Sequence, residues 1–191
     1  MRQLRLKLAE PKKRGGKRSG AGRPRKDGRR GVPPGMPHLP RPAMAARFPV
    51  GVTWRMEKGV WNLRSQRCFK VIQRAMYAGG QREDFRLVHF AVLGNHIHLI
   101  VEASDRERLM RGLQGLGIRI AKRLNQRMGR SGRVISDRYH AHILETPTEV
   151  RKARTYLLNN AHKHYGWRGI DPYASQRPFT APRTWLMRQV C

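Results

Sequence analysis

Residues 94–101 read Gly94-Asn95-His96-Ile97-His98-Leu99-Ile100-Val101. Gly94-Asn95 is a turn dipeptide, and the apolar, β-branched run after it predicts a strand over His96–Glu102. Phe85–Leu93 is a second β-run, so the two read as a hairpin. Side chains alternate along a strand. Ile97, Leu99 and Val101 therefore point one way, into a helix-covered core. His96 and His98 point the other way, with Cα atoms about 6.6 Å apart. Two imidazoles on one open face are a natural pair of metal ligands. The alternative is two ordinary half-exposed histidines. A second pair, His140-Ala141-His142, shows that the bare pattern does not decide between them. The first pair is preferred because bulky apolar residues enclose it and a turn precedes it. By the same alternation Glu102 faces the side of His96 and His98.

The hairpin sits within a longer alternation. Phe48–Trp54 reads as a first strand. Leu63–Ala78 has Phe69, Ile72, Ala75 and Met76 at helical spacing and stops at Gly79-Gly80. Asp105–Met128 predicts a long amphipathic helix with Leu109, Leu113, Leu116, Ile120 and Leu124 as its apolar stripe. Tyr139–Glu145 is a fourth strand. Thr146-Pro147-Thr148 opens a final helix running to about His164, with Glu149 in its first turn. The order β-α-β-β-α-β-α predicts an α+β fold, a ferredoxin-like antiparallel sheet with helices on one face. Three segments follow: a disordered basic arm and Pro-rich linker over 1–45, a domain over 46–166, and a C-terminal extension over 167–191.

Lys and Arg number 41 among 191 residues against 12 Asp and Glu, a net charge of +29. A polyanion is the expected partner. No apolar run approaches the roughly 20 residues of a membrane helix. Met1-Arg2-Gln3-Leu4 has no apolar signal-peptide core after it, and Cys68 and Cys191 read as free thiols. A cytoplasmic, nucleoid-associated protein is expected. Gly16-Lys17 is followed by Arg18, so there is no Walker A loop and no nucleotide cofactor is expected. The few acids form no obvious carboxylate triad for a two-metal nuclease. Within the arm, Gly22-Arg23-Pro24-Arg25 resembles an AT-hook; a generic polybasic arm releasing counterions from DNA is the preferred reading.

Beyond these residue-level readings, Gly94–Val101 resembles the HUH signature of single-tyrosine transposases. Asp137-Arg138-Tyr139-His140, followed by Tyr156-Leu157-Leu158-Asn159-Asn160, is similar to the downstream pattern of the REP-associated tyrosine transposases. The resemblance spans roughly Arg47 to Tyr165. Asn160-Ala161 stands where that family commonly has Asn-Pro. The resemblance implies that His96 and His98 bind a divalent metal and that Tyr156, on a late helix, is the nucleophile. Tyr156 and Asn160, four residues apart, share a helix face. Asn160 can then add an amide oxygen, a set suited to Mg²⁺ or Mn²⁺. Tyr139 and Tyr165 are the rival nucleophiles. The implied activity is cleavage and strand transfer of single-stranded DNA beside a hairpin through a 5′-phosphotyrosine. Arg23, Arg25, Arg119, Lys122, Arg123, Lys152 and Lys163 are the expected DNA contacts, and a homodimer is compatible with the reading. A catalytically silent DNA-binding regulator and a basic RNA-binding structural protein are the alternatives. Intact His96, His98 and Tyr156 favour the enzyme.

The charge distribution makes its own prediction. Deleting residues 1–31 removes 13 Lys and Arg and 2 acidic residues, leaving +18 of the +29. Binding to single-stranded DNA should persist but weaken. Its log–log salt slope should flatten by about 0.7 for each phosphate that the shortened chain no longer neutralises. Titrations from low to moderate salt check this; an unchanged slope would show that the arm does not engage phosphates.

Overall fold

The computed structural model describes residues 44–190; the basic arm with Arg23 and Arg25, most of the Pro-rich linker, and Cys191 lie outside the described residues. The elements are β1 (Val50–Arg55), α1 (Gln66–Gly79), β2 (Phe85–Val92), β3 (His96–Ala103), α2 (Arg106–Met128), β4 (His140–Ile143), α3 (Pro147–Tyr165) and α4 (Trp185–Arg188). The four strands form one antiparallel sheet in the order β2-β3-β1-β4. β3 is thus inserted between β1 and β2, the split βαβ arrangement of ferredoxin-like folds. The expected α+β architecture is present, and β3 lies at its centre.

The register follows from burial. Ile97, Leu99 and Val101 of β3 pack with Val52 and Trp54 of β1 and with Leu113, Leu116 and Ile120 of α2. α2 comes so close that a Cβ at Gly112 would overlap the Phe85 ring. Asp105 caps its start by accepting from Arg108 N–H, and Gly129 ends it at φ 62°.

The expectation of helices on one face holds for α1 and α2. α3 lies on the opposite face. There Val150 and Leu157 pack with Val88, Ala91 and Ile100 of the sheet. The reason is in β2 and β3 themselves: beyond their first few residues both are buried on both sides, so both sides need cover. A bulge between Leu87 and His89 adds to this, since it turns Val88 onto the α3 face. α3 starts at a capping box in which Thr146 and Glu149 satisfy each other's backbone N–H groups, with Pro147 in the first turn.

Residues 167–190, set apart from the domain by sequence, pack onto this second face and along the free edge of β2. Val92 N–H donates to Tyr173 O, Ser175 N–H to Phe90 O, and Phe179 N–H to Val88 O. Ala174, Leu186 and Met187 join the apolar cluster under α3. Glu102 is the anchor. It is 4% exposed. Its carboxylate accepts from Arg183 N–H at 2.8 Å, Thr184 N–H at 2.8 Å and the Thr184 hydroxyl at 2.7 Å. Glu102 does face the side of the histidines, but its lone pairs hold the start of α4.

Glu102→Ala should leave three donors without an acceptor at a cost of about 2–4 kcal/mol, read as a lower urea midpoint. Glu102→Gln keeps one acceptor oxygen and should fall between. An Ala variant as stable as wild type would mean that the C-terminal segment is not held through this carboxylate.

Candidate active site

β3 presents His96 and His98 on the α3 face, with ring centroids 4.9 Å apart. His96 lies beside the turn Gly94-Asn95. Its Nδ1–H donates to Asn95 Oδ1 at 2.7 Å. This hydrogen bond fixes the tautomer and leaves the Nε2 lone pair available. His98 Nδ1 is 2.9 Å from the Thr53 hydroxyl on β1, the residue directly opposite in register. His98 Nε2 is buried without a hydrogen-bond partner.

Burial pushes the His98 imidazole down to about 4 from its ordinary 6.5, with the neighbouring His96 and His164 adding to the effect. Burial likewise lowers His96, helped by His164 and Arg55. Both rings are therefore neutral near pH 7, the state in which imidazole is a ligand.

α3 supplies the other wall. The Tyr156 ring lies 5.5 Å from the His98 ring and is half exposed. Asn160, one turn later, is 1% exposed, and neither its Oδ1 nor its Nδ2 has a partner. His164, one turn further, has its ring 5.7 Å from that of His96. Orphaned buried polar atoms cost about 1–3 kcal/mol each unless a ligand meets them. Here they belong to one imidazole and one amide, flanked by a second imidazole with a free nitrogen. That donor set fits a divalent cation with N and O ligands. Among the described residues, no three His, Cys, Asp or Glu side chains are grouped to hold a metal. The candidate set is instead two imidazoles and an amide oxygen.

Of the residues singled out by sequence, His96, His98, Tyr156 and Asn160 come together. Lys163 joins them, its Nζ 5.9 Å from the Tyr156 ring centre. Lys152 is exposed one turn before Tyr156 on the same helix. Arg119, Lys122 and Arg123 lie on α2, which covers the other face, and are not brought to the site. The second histidine pair lies on edge strand β4, both rings exposed, with His142 4.0 Å from Glu149.

The rival tyrosines have other roles. Tyr139 packs against the α2-side core. The Tyr165 hydroxyl accepts the Gly94 N–H at 2.7 Å. Arg64 stacks on Tyr165 at 4.8 Å and on Tyr173 at 4.3 Å while pairing with Asp171 through two hydrogen bonds. This bracket, which sequence reasoning misses, ties the C-terminal segment to the turn before His96. Arg64 and Asp171 are 107 residues apart and carry no motif.

No family model matches the chain, and none of the curated proteins does. Solved structures do resemble it. A REP-associated tyrosine transposase bound to a REP hairpin superposes with a TM-score of 0.57 at 16% identity, covering 74% of this chain and 83% of that one. A candidate transposase from Deinococcus radiodurans R1 gives a TM-score of 0.40 at 14% identity, covering 67% of this chain and 97% of that one. The first of these shows that the chain has the fold of the REP-associated tyrosine transposase.

The depressed imidazoles make stability depend on pH. His89, fully buried against Ser175, is also pushed down to about 4 by burial. Between pH 6.5 and 4 the unfolded chain takes up protons that folded His89 and His98 refuse, so stability rises with pH across that window and falls on acidification. His89 alone should contribute on the order of 3 kcal/mol to this change. Urea midpoints at several pH values check it, and His89→Gln should flatten the slope. A midpoint constant from pH 4 to 6.5 would show that neither ring is depressed.

Proposed function

We propose that the protein cleaves and rejoins single-stranded DNA at hairpin-bearing sites, in a metal-dependent strand transfer through a 5′-phosphotyrosine. The observation that carries the reading is the convergence of Tyr156 and Asn160, one helical turn apart on α3, upon His96 and His98 of β3. The fold shared with the REP-associated tyrosine transposase supports it, as does the net charge of +29.

His96 Nε2, His98 Nε2 and Asn160 Oδ1 would hold Mg²⁺ or Mn²⁺. When bound, the ion withdraws charge from a non-bridging oxygen of the scissile phosphate. The protein's own groups do the rest. The Tyr156 hydroxyl, half exposed at the rim of the site, can reach a phosphate entering from solvent. Its oxygen attacks phosphorus in line as the bond to the 3′ oxygen breaks. The phenolic proton leaves and the departing oxygen gains one, giving a free 3′-OH and a phosphodiester to tyrosine. That bond retains the energy of the one broken, so a second 3′-OH can displace Tyr156 without a nucleotide cofactor. Lys163 and Lys152 supply positive charge along the same helix for the phosphates on either side. Arg119, Lys122 and Arg123, on the far face, act through the general attraction of the surface for DNA.

Tyr156→Phe keeps the ring against His98 and removes only the hydroxyl. The variant should fold and bind single-stranded DNA within about twofold of wild type, because phosphate contacts dominate affinity. It should form no covalent adduct and release no 3′-OH product. His98→Ala should also abolish cleavage. Mass mapping of a trapped adduct decides the matter: a nucleotide on Tyr139 or Tyr165 would move the nucleophile. No adduct with any tyrosine in Mg²⁺ or Mn²⁺ would favour a DNA-binding regulator.

A further inference from the structure

Tyr156, Asn160 and His164 are spaced four residues apart on α3. Side chains at this spacing stack along one helix face. Two of the three meet β3 in turn, Tyr156 beside His98 and His164 beside His96. Asn160, between them, holds two unpartnered buried amide atoms. The site is therefore longer than two imidazoles and an amide. It has a third imidazole at the end nearest the Gly94-Asn95 turn.

That placement is built in. Gly166 ends α3 in the left-handed conformation at φ 64°, its N–H bonded back to Ala161 O and His162 O. Tyr165, the residue after His164, accepts the N–H of Gly94, two residues before His96. Arg64, held by Asp171, stacks on the Tyr165 ring. The backbone that carries His164 is thus tied to the backbone that carries His96. The His164 side chain itself is exposed and can rotate about its own bonds.

Two imidazoles bound to one ion through bonds of about 2.1 Å place their ring centres roughly 4.5–6.5 Å apart, depending on the angle between them. The observed separations are 4.9 Å for His96–His98 and 5.7 Å for His96–His164. The three rings do not already converge as a closed cage. Bringing the third ring to the other two requires the exposed His164 side chain to turn. The geometry points to His164 as a further metal donor in this chain, beside His96, His98 and Asn160, making a three-imidazole site that prefers Co²⁺, and to a lesser degree Mn²⁺, over Mg²⁺. The inference rests on the metal-site reading of His96 and His98 above. Its chemical basis is ligand preference: imidazole suits later divalent ions, whereas Mg²⁺ selects oxygen and water.

The test is metal binding to the full-length protein without DNA. Mn²⁺, Co²⁺ and Mg²⁺ are titrated separately into wild type, His164→Ala, His164→Gln and His98→Ala, with the visible spectrum of bound Co²⁺ as a second readout. Wild type should bind Co²⁺ and Mn²⁺ more tightly than Mg²⁺. His164→Ala and His164→Gln should each weaken Co²⁺ and Mn²⁺ about tenfold, leave Mg²⁺ within about threefold, and shift the Co²⁺ absorption bands, because one nitrogen ligand is removed. His164 is exposed on the last turn of α3, and circular dichroism confirms that both variants fold. If His98→Ala abolishes binding while both His164 variants match wild type in affinity and spectrum, His164 is not a ligand and the two-histidine site stands. If His98→Ala binds all three ions like wild type, the metal-site reading itself falls.

Discussion

Everything at the site depends on the register of β3. Ile97, Leu99 and Val101 are buried against Val52, Trp54 and the apolar stripe of α2. The side-chain period of a strand is two, so a slip of one residue would drive His96 and His98 into that core and expose the three aliphatics. Burying three large apolar side chains is worth roughly 1.5–3 kcal/mol apiece. The register is therefore specified far more strongly by packing than by anything the histidines do. β3 is also paired on both sides, with β1 and with β2, which leaves it no freedom to shift. The imidazoles are aimed by packing on the opposite side of their strand.

The second face shows the opposite economy. Apolar packing under α3 is confined to one region, where Val150 and Leu157 meet Val88, Ala91 and Ile100. Further along, toward the His96 end of β3, the interface between strand and helix turns polar: Thr53, His98, Asn160 and His164 replace aliphatics. Neutral imidazoles and unpartnered amide atoms at a packed helix–strand contact destabilise the fold. The C-terminal segment offsets that cost. Glu102, Ser175 and Asp171 each fix it to the sheet or to the turn before α1, and every one of these links reaches across more than eighty residues. The polar site thus lies between an aliphatic cluster at one end of α3 and the Tyr165–Arg64–Asp171 bracket at the other.

How much of this the sequence reveals divides along a physical line. Local periodicity shows the β-α-β-β-α-β-α order, the parity that puts His96 and His98 on one face, and the helix carrying Tyr156 and Asn160, because those features repeat every two or four residues. Elements start close to their chemical signals: Asp105 and Thr146 cap α2 and α3 where a capping residue precedes an apolar run. What periodicity does not reveal is which face a helix covers. Pattern alone groups α3 with α1 and α2, but β2 and β3 are buried on both sides, which residue type does not reveal because the α3 side of β3 carries His96, His98 and Glu102. The segment after Gly166 falls outside the domain in sequence because it has no periodic pattern. Its attachment runs through single polar residues, Asp171, Ser175 and Thr184, whose partners are unreadable from spacing. His164 escapes sequence reasoning for a simpler reason: the resemblance draws attention to the fourth residue after Tyr156, whereas the eighth, about 80° round the helix, still falls at the edge of the same stripe.

The basic residues divide by position in the same way. Lys152 and Lys163 ride on α3, the helix that carries Tyr156, on the side of the sheet that holds His96 and His98. Arg119, Lys122 and Arg123 ride on α2, behind the sheet. At physiological ionic strength the screening length is about 8 Å, comparable to the roughly 10 Å between packed layers. With a helix layer and the whole sheet between them and His98, these arginines and lysines exert little field there. What they share with α3 is the net charge of +29, which acts as a whole on any polyanion at a distance. On the proposed function, chemistry therefore depends on the few groups between β3 and α3, and affinity on the many basic residues outside them. The two can be altered independently because one sheet separates them.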